Sequence, residues 1–178
     1  MATFIAGNGM IGAGIAALLV LAAPAAGAQA IGSDAAACNS GQGPAVLANV
    51  TGLKDRRGTL KLELYPANEE DFLEKDGVLI RAGKTFRRVS VAAPASGDAR
   101  ICIRVPRPGR WAIFAGHDRD GKNKFNFWSD GAGFPSNRKL GRAKPKLADS
   151  VVEVGSGVTQ TTIRMQYLRG LGGFAPLD

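Results

Sequence analysis

The chain has one histidine, and an aspartate follows it directly. His117-Asp118-Arg119-Asp120-Gly121-Lys122-Asn123-Lys124 gathers an imidazole, two alternating carboxylates, an amide and two ammonium groups. Three chemistries are open to such a stretch. A His–Asp pair suggests hydrolysis, but neighbours on a strand point to opposite faces, so His117 and Asp118 would not share a site. No G-x-S-x-G elbow or partnered cysteine accompanies them, and a hydrolase using His117 and Asp118 ranks last. Asp118 and Asp120 fit the first and third positions of a calcium loop, where alternate oxygens turn inward around one ion. Lys122, Asn123 and Ser129 break that pattern at its fifth, sixth and twelfth positions. The expectation is a turn held by Asp and Asn side chains, with no metal, no cofactor and no catalytic residue. Phe125, Phe127 and Trp128 could stack on a carbohydrate, although aromatics covering the open end of a sandwich is the plainer reading.

A Gly-rich loop follows, Gly131-Ala132-Gly133-Phe134-Pro135-Ser136-Asn137. Arg138, Lys139, Arg142, Lys144 and Lys146 then crowd a long connection. The formal net charge is +8 and the pI about 9.9. The compartment decides what such a charge can meet. The first 30 residues carry no Asp, Glu, Lys or Arg, and Ile11 to Leu21 is an apolar run broken by Pro24. That run has the length of a signal-peptide core and is too short to span a membrane. Ala26-Gly27-Ala28 and Ala28-Gln29-Ala30 both fit a small-x-small cleavage rule. Residues 1–30 therefore read as a signal peptide, leaving no transmembrane segment in the mature chain. For a periplasmic or secreted protein the available polyanions are envelope polymers rather than nucleic acid. Cys38 and Cys102, the only cysteines, read as a disulfide outside the cytoplasm.

The elements that must position these residues are mostly strands. Residues 31–45 are rich in Gly, Ala and Ser and read as a flexible N-terminal arm. Val46 to Leu53 reads as a strand, and Thr59 to Tyr65 alternates, with Leu60, Leu62 and Leu64 on one face. The two would form a hairpin. Asn68 caps a short helix that Asp76-Gly77 stops. Phe86 to Ala92 and Arg100 to Val105 alternate again, and the second places Cys102 on the outward face. A Cys38–Cys102 bond would then staple the arm across the outside of a sheet. Arg110 to Gly116 is apolar on both faces and so central. Val151 to Val154 and Thr161 to Leu168 complete the set, the latter with Ile163, Met165 and Tyr167 inward. Residues 169–178 read as a frayed tail. About seven short strands and almost no helix indicate one antiparallel β-sandwich over 46–168.

The order of these motifs resembles an exported bacterial family, domain of unknown function 2141. Its core runs G-x-Y-A-I-x-x-x-H-D-x-N-x-N-G-K, followed by a G-F-S-N-like motif and P-x-F-x-D-A. Gly109, Trp111 to Ile113, His117, Asp118, Lys124, Gly133 to Asn137 and Pro145 to Ser150 match it in order. The resemblance covers Val46 to Leu168 and implies an exported sandwich of Greek-key type, similar to the transthyretin-like or carboxypeptidase-regulatory-like group, with no established activity. Lys122, Asn123 and Asn126 depart from its usual Asn, Gly and Asp.

The residues and the resemblance together suggest a non-enzymatic binding or structural protein of the cell envelope. Its tentative binding set is His117, Asp118, Asp120, Lys124, Phe134 and Asn137, gathered at one end of the sandwich. The partner would be an anionic envelope polymer or an envelope protein. The alternative is a polyanion- or carbohydrate-binding module whose basic loop carries Arg138, Lys139, Arg142, Lys144 and Lys146. The oligomeric state is open.

Overall fold

A computed structural model describes Met1 and residues 29–177, so most of the expected signal peptide lies outside the described residues. The elements, in chain order, are α1 (Ala35–Asn39), β1 (Ala45–Thr51), β2 (Thr59–Pro66), α2 (Asp76–Arg81), β3 (Arg87–Ala92), β4 (Ala99–Arg104) and β5 (Gly109–Asp118). They continue with β6 (Gly131–Gly133), α3 (Leu147–Ser150), β7 (Val151–Val154), β8 (Val158–Arg164), β9 (Gln166–Leu168) and β10 (Phe174–Pro176). A three-stranded sheet, β4-β1-β8, packs on a seven-stranded one ordered β10-β9-β6-β5-β2-β3. In the larger sheet β7 pairs with the first half of one edge of β5 and β6 with the second half. No helix among the described residues is long and apolar enough to cross a membrane.

The alternating residues build the core between the sheets. Leu60, Leu62 and Leu64 meet Ile101, Ile103, Trp111, Ile113 and Ala115 there. Each large side chain buried this way contributes about 1.5–3 kcal/mol. β5 is central, as its two apolar faces require: Ala112 and Phe114 face outward against Tyr65, Phe72, Phe86 and Leu79 of α2.

Several expectations are corrected. β1 and β2 do not form a hairpin; β1 pairs with β4 and β8, and β2 with β3 and β5. The connection between them caps the end of the sandwich instead. Its Lys54 N–H donates to Tyr167, its Arg57 carbonyl meets His117, and Asp55 pairs with Arg119. One strand pair, β1 with β8, is parallel.

Asn68 does cap, accepting from Asp71 N–H at 2.9 Å, but it caps a turn. Leu73 is left-handed at φ 61, a conformation no helix continues through. The helix begins at Asp76 instead of ending there. The strand expected over Thr161 to Leu168 divides at Met165, with β8 in the small sheet and β9 in the large one. Ile163, Met165 and Tyr167 all stay buried as the chain changes sheets.

Among the described residues, both terminal segments pack on the sheets. Ile31 bridges alongside Ile101, Asp34 accepts from Arg104 N–H and pairs with Arg87, and α1 covers the outside of the small sheet. Cys38 is bonded to Cys102 on that outward face. At the other end, β10 pairs with β9 and buries Phe174.

Candidate functional site

β5 separates the two residues at the centre of the sequence pattern. His117 points inward and is fully buried. Its Nε2 lies 2.7 Å from the Arg57 carbonyl, which can only accept, so Nε2 carries the proton. Nδ1, 2.7 Å from Tyr167 Oη, therefore accepts from that hydroxyl, which in turn receives Lys54 N–H at 3.0 Å. Burial pushes the Tyr167 hydroxyl up to about 12, so it remains a donor. Burial also holds the His117 imidazole below its ordinary value, against the opposing pull of the Arg57 carbonyl. Both ring nitrogens serve the fold.

Asp118 points outward, where it begins the β5–β6 loop. Its Oδ2 accepts from Lys61 Nζ at 2.7 Å and from Asn123 N–H at 3.0 Å. Burial raises its pKa, but these donors outweigh that and hold it below the usual carboxylate range. Asn123 has φ 59, supplying the left-handed residue that a glycine would otherwise provide at the sixth loop position. Asp130, which counting along a twelve-residue calcium template passes over, is the stronger organiser. It is buried and accepts from Arg119 N–H, Asn126 N–H and the Ser129 hydroxyl at 2.8–3.0 Å. Asp120 accepts from Asn126 and Lys122 N–H. Immediately after Asp130, Gly131 leaves room for the Tyr167 ring; a Cβ there would lie 2.4 Å from it.

The loop stands beside a cleft of about 540 Å³ on the outer face of the large sheet. Lys61 and Glu63 of β2, Phe114 and Gly116 of β5 and Ala132 of β6 line it. Phe125 and Phe127 pack on Phe174, with ring centroids 6.0 and 5.1 Å apart, and form an aromatic wall. Trp128 stacks edge-on against Phe127 and is 80% exposed. The aromatics therefore cover a sheet face rather than the open end of the sandwich. Lys124, Arg142 and Lys144 also line the cleft, and among the described residues none of the three forms an ion pair with a carboxylate. Arg142 donates to the Leu171 carbonyl. Glu63, by contrast, is held by the Tyr65 hydroxyl and Arg88, both at 2.6 Å.

The tentative binding set thus divides. Asp118 and Lys124 reach the cleft, and Asp120 joins Asp118 and Asp130. His117 lies along the cleft with its ring turned inward to Tyr167. Phe134 is buried. Asn137 is left-handed and binds β8, accepting from Arg164 N–H at 2.6 Å and donating to the Thr162 carbonyl at 2.9 Å. The basic loop divides too: Arg142 and Lys144 face the cleft, while Arg138 pairs weakly with Asp149 at 3.6 Å. Lys139 and Lys146 are exposed. Buried Gln166 pins this loop by donating to the Arg138 carbonyl and accepting from Leu140 N–H. A lone Gln in an alternating strand gives no sequence signal of that role.

The fold and site define a class: a two-sheet β-sandwich with a loop-walled cleft on the outside of its larger sheet. The chain belongs to the family described as an uncharacterized protein conserved in bacteria, DUF2141, which matches residues 48–162. The match spans most of β1 through β8 and takes in the whole β5–β6 loop, but not Cys38, Tyr167 or Phe174. No curated protein and no solved structure matches the chain.

Proposed function

We propose that this is an exported, non-enzymatic binding protein of the cell envelope whose cleft takes an anionic amphiphile. The ligand has an apolar body and a carboxylate or phosphate head. The observation that carries this reading is the pairing of an aromatic wall, Phe125, Phe127 and Phe174, with three cations, Lys124, Arg142 and Lys144, that form no ion pair with a carboxylate among the described residues. Small-ligand sites combine mostly apolar lining with a few placed polar groups in this way. The non-enzymatic part rests on His117, whose two nitrogens are both engaged inside the fold. The exported part rests on the uncharged N-terminal 30 residues and on the Cys38–Cys102 disulfide.

Titration with laurate, dodecyl phosphate, dodecanol and dodecyltrimethylammonium, followed by Trp128 fluorescence and calorimetry, tests the cleft. The two anions should bind at least tenfold more tightly than the alcohol, and the cation least. Equal binding of anion and cation would remove the charge argument. Recovery of the protein from the host's periplasm or medium, lacking its N-terminal residues, tests export; an intact cytoplasmic chain would oppose it.

A further inference from the structure

We infer that the β5–β6 loop is a calcium site built from Asp118, Asp120 and Asp130. One carboxylate oxygen from each lies within 4.8 Å of the others. The three come from the end of β5, the turn beyond it and the residue before β6, so the fold itself brings the two ends of the loop together. Clustered acids alone are common on protein surfaces. This cluster has a second feature: Asp118 is only 5% exposed, and its Oδ1 has no hydrogen-bond partner. A buried carboxylate oxygen left without a donor is costly. The other oxygen of the same side chain is already satisfied by Lys61 and Asn123. A cation between the three carboxylates completes Asp118.

The donor set names the ion. All three side chains are hard oxygen ligands, which select calcium or magnesium over softer metals. They sit on one loop, which suits the larger and less exacting coordination sphere of calcium. The loop also supplies the left-handed residue, Asn123, at the place where such loops turn most sharply. Two lysines work against the ion. Lys61 lies 2.7 Å from Asp118, and Lys122 lies 3.6 Å from Asp120 on a side chain 73% exposed. Their presence sets the affinity in the weak range of extracellular modules, about 10⁻⁴ to 10⁻³ M.

Calorimetric titration of the full chain with calcium chloride, at fixed ionic strength, provides the test. Saturable binding of one ion is expected, with a Tm rise of about 4 °C at 10 mM calcium. Magnesium should give a smaller rise and sodium none. Asp120→Asn, at an exposed position, should abolish the calcium response without unfolding the chain. Lys61→Met removes the competing ammonium and should tighten calcium binding about tenfold, a change that a purely structural role for the loop would not produce. Absence of calcium binding in both the wild type and Lys61→Met would overturn the site. An undiminished response in Asp120→Asn would do the same.

Discussion

The two sheets cover part of their outer faces by different means. Beneath α1 the small sheet's outer face is sealed, while Asn49, Arg100, Gln160 and Thr162 leave the rest of it polar and open. Ala30, Ala37, Ala45, Leu47 and Cys102 pack under α1, and the covering segment is fastened both by Cys38 and by Asn39, which accepts from Ala30 N–H at 2.9 Å. The large sheet's outer face is sealed only under α2, where Tyr65, Leu79 and Ala112 meet. Further along β2 and β5 the same face turns polar, and loops rather than a fastened segment bound it. A covalent fastening suits a cover that never has to move. Loops held by carboxylates and aromatic edges suit a surface that receives something.

Variants can break this contrast one face at a time. The largest effect belongs to the sealed face. Replacing Cys38 and Cys102 with alanine opens a loop of 64 residues, which costs about 4.3 kcal/mol in the chain-entropy model and lowers Tm by roughly 10 °C. Amphiphile binding at 25 °C should survive, and its loss would show that the two faces are not independent. Next comes the layer between the sheets. Tyr167→Phe leaves His117 Nδ1 and Lys54 N–H without a partner and should cost about 2 kcal/mol in denaturant unfolding. On the open face, Arg142→Glu with Lys144→Glu should weaken dodecyl phosphate about tenfold, or about 1.4 kcal/mol, while Tm stays within about 2 °C.

The pH dependence is more gradual. His117 is held below its ordinary value in the fold, so the unfolded chain takes up that proton first. Its contribution is complete above about pH 6.5 and declines as the pH falls below it, by at most about 1.4 kcal/mol per unit. His117→Gln should flatten unfolding free energies between pH 7 and 5; an unchanged slope would assign the dependence to other groups. The smallest effect is expected from Arg138→Glu with Lys139→Glu, at two positions that do not line the cleft. Less than a twofold change in amphiphile binding separates a localised site from general attraction to polyanions.

Alternation made the long strands legible. Leu60-Leu62-Leu64, Ile101-Ile103 and the doubly apolar β5 all took the faces that period-two patterning assigns, and Cys102 stands outward as its neighbours require. Partnering was not legible. Two alternating strands with a short connection look like a hairpin whether they share a sheet or change sheets. The three-residue strands β6 and β10 are too short and too rich in small residues to show a period. At the site, Asp118 and Asp120 were visible because they are close in sequence. Asp130 was hidden because its role depends on β6 returning beside β5. Arg142, Lys144 and Phe174 reach the cleft only through tertiary structure.

The parallel pairing of β1 with β8 also governs timing. β1 lies in the middle of its sheet, and its partners run from Ala99 to Arg104 on one side and from Val158 to Arg164 on the other. The sheet cannot close until the chain is nearly finished, and contacts between such distant residues form slowly. Under the export proposed above, a chain threaded through a membrane before it folds benefits from that order. Its first strand cannot complete a stable sheet on its own side and jam the passage. It finds its second neighbour only when almost the whole sequence is available.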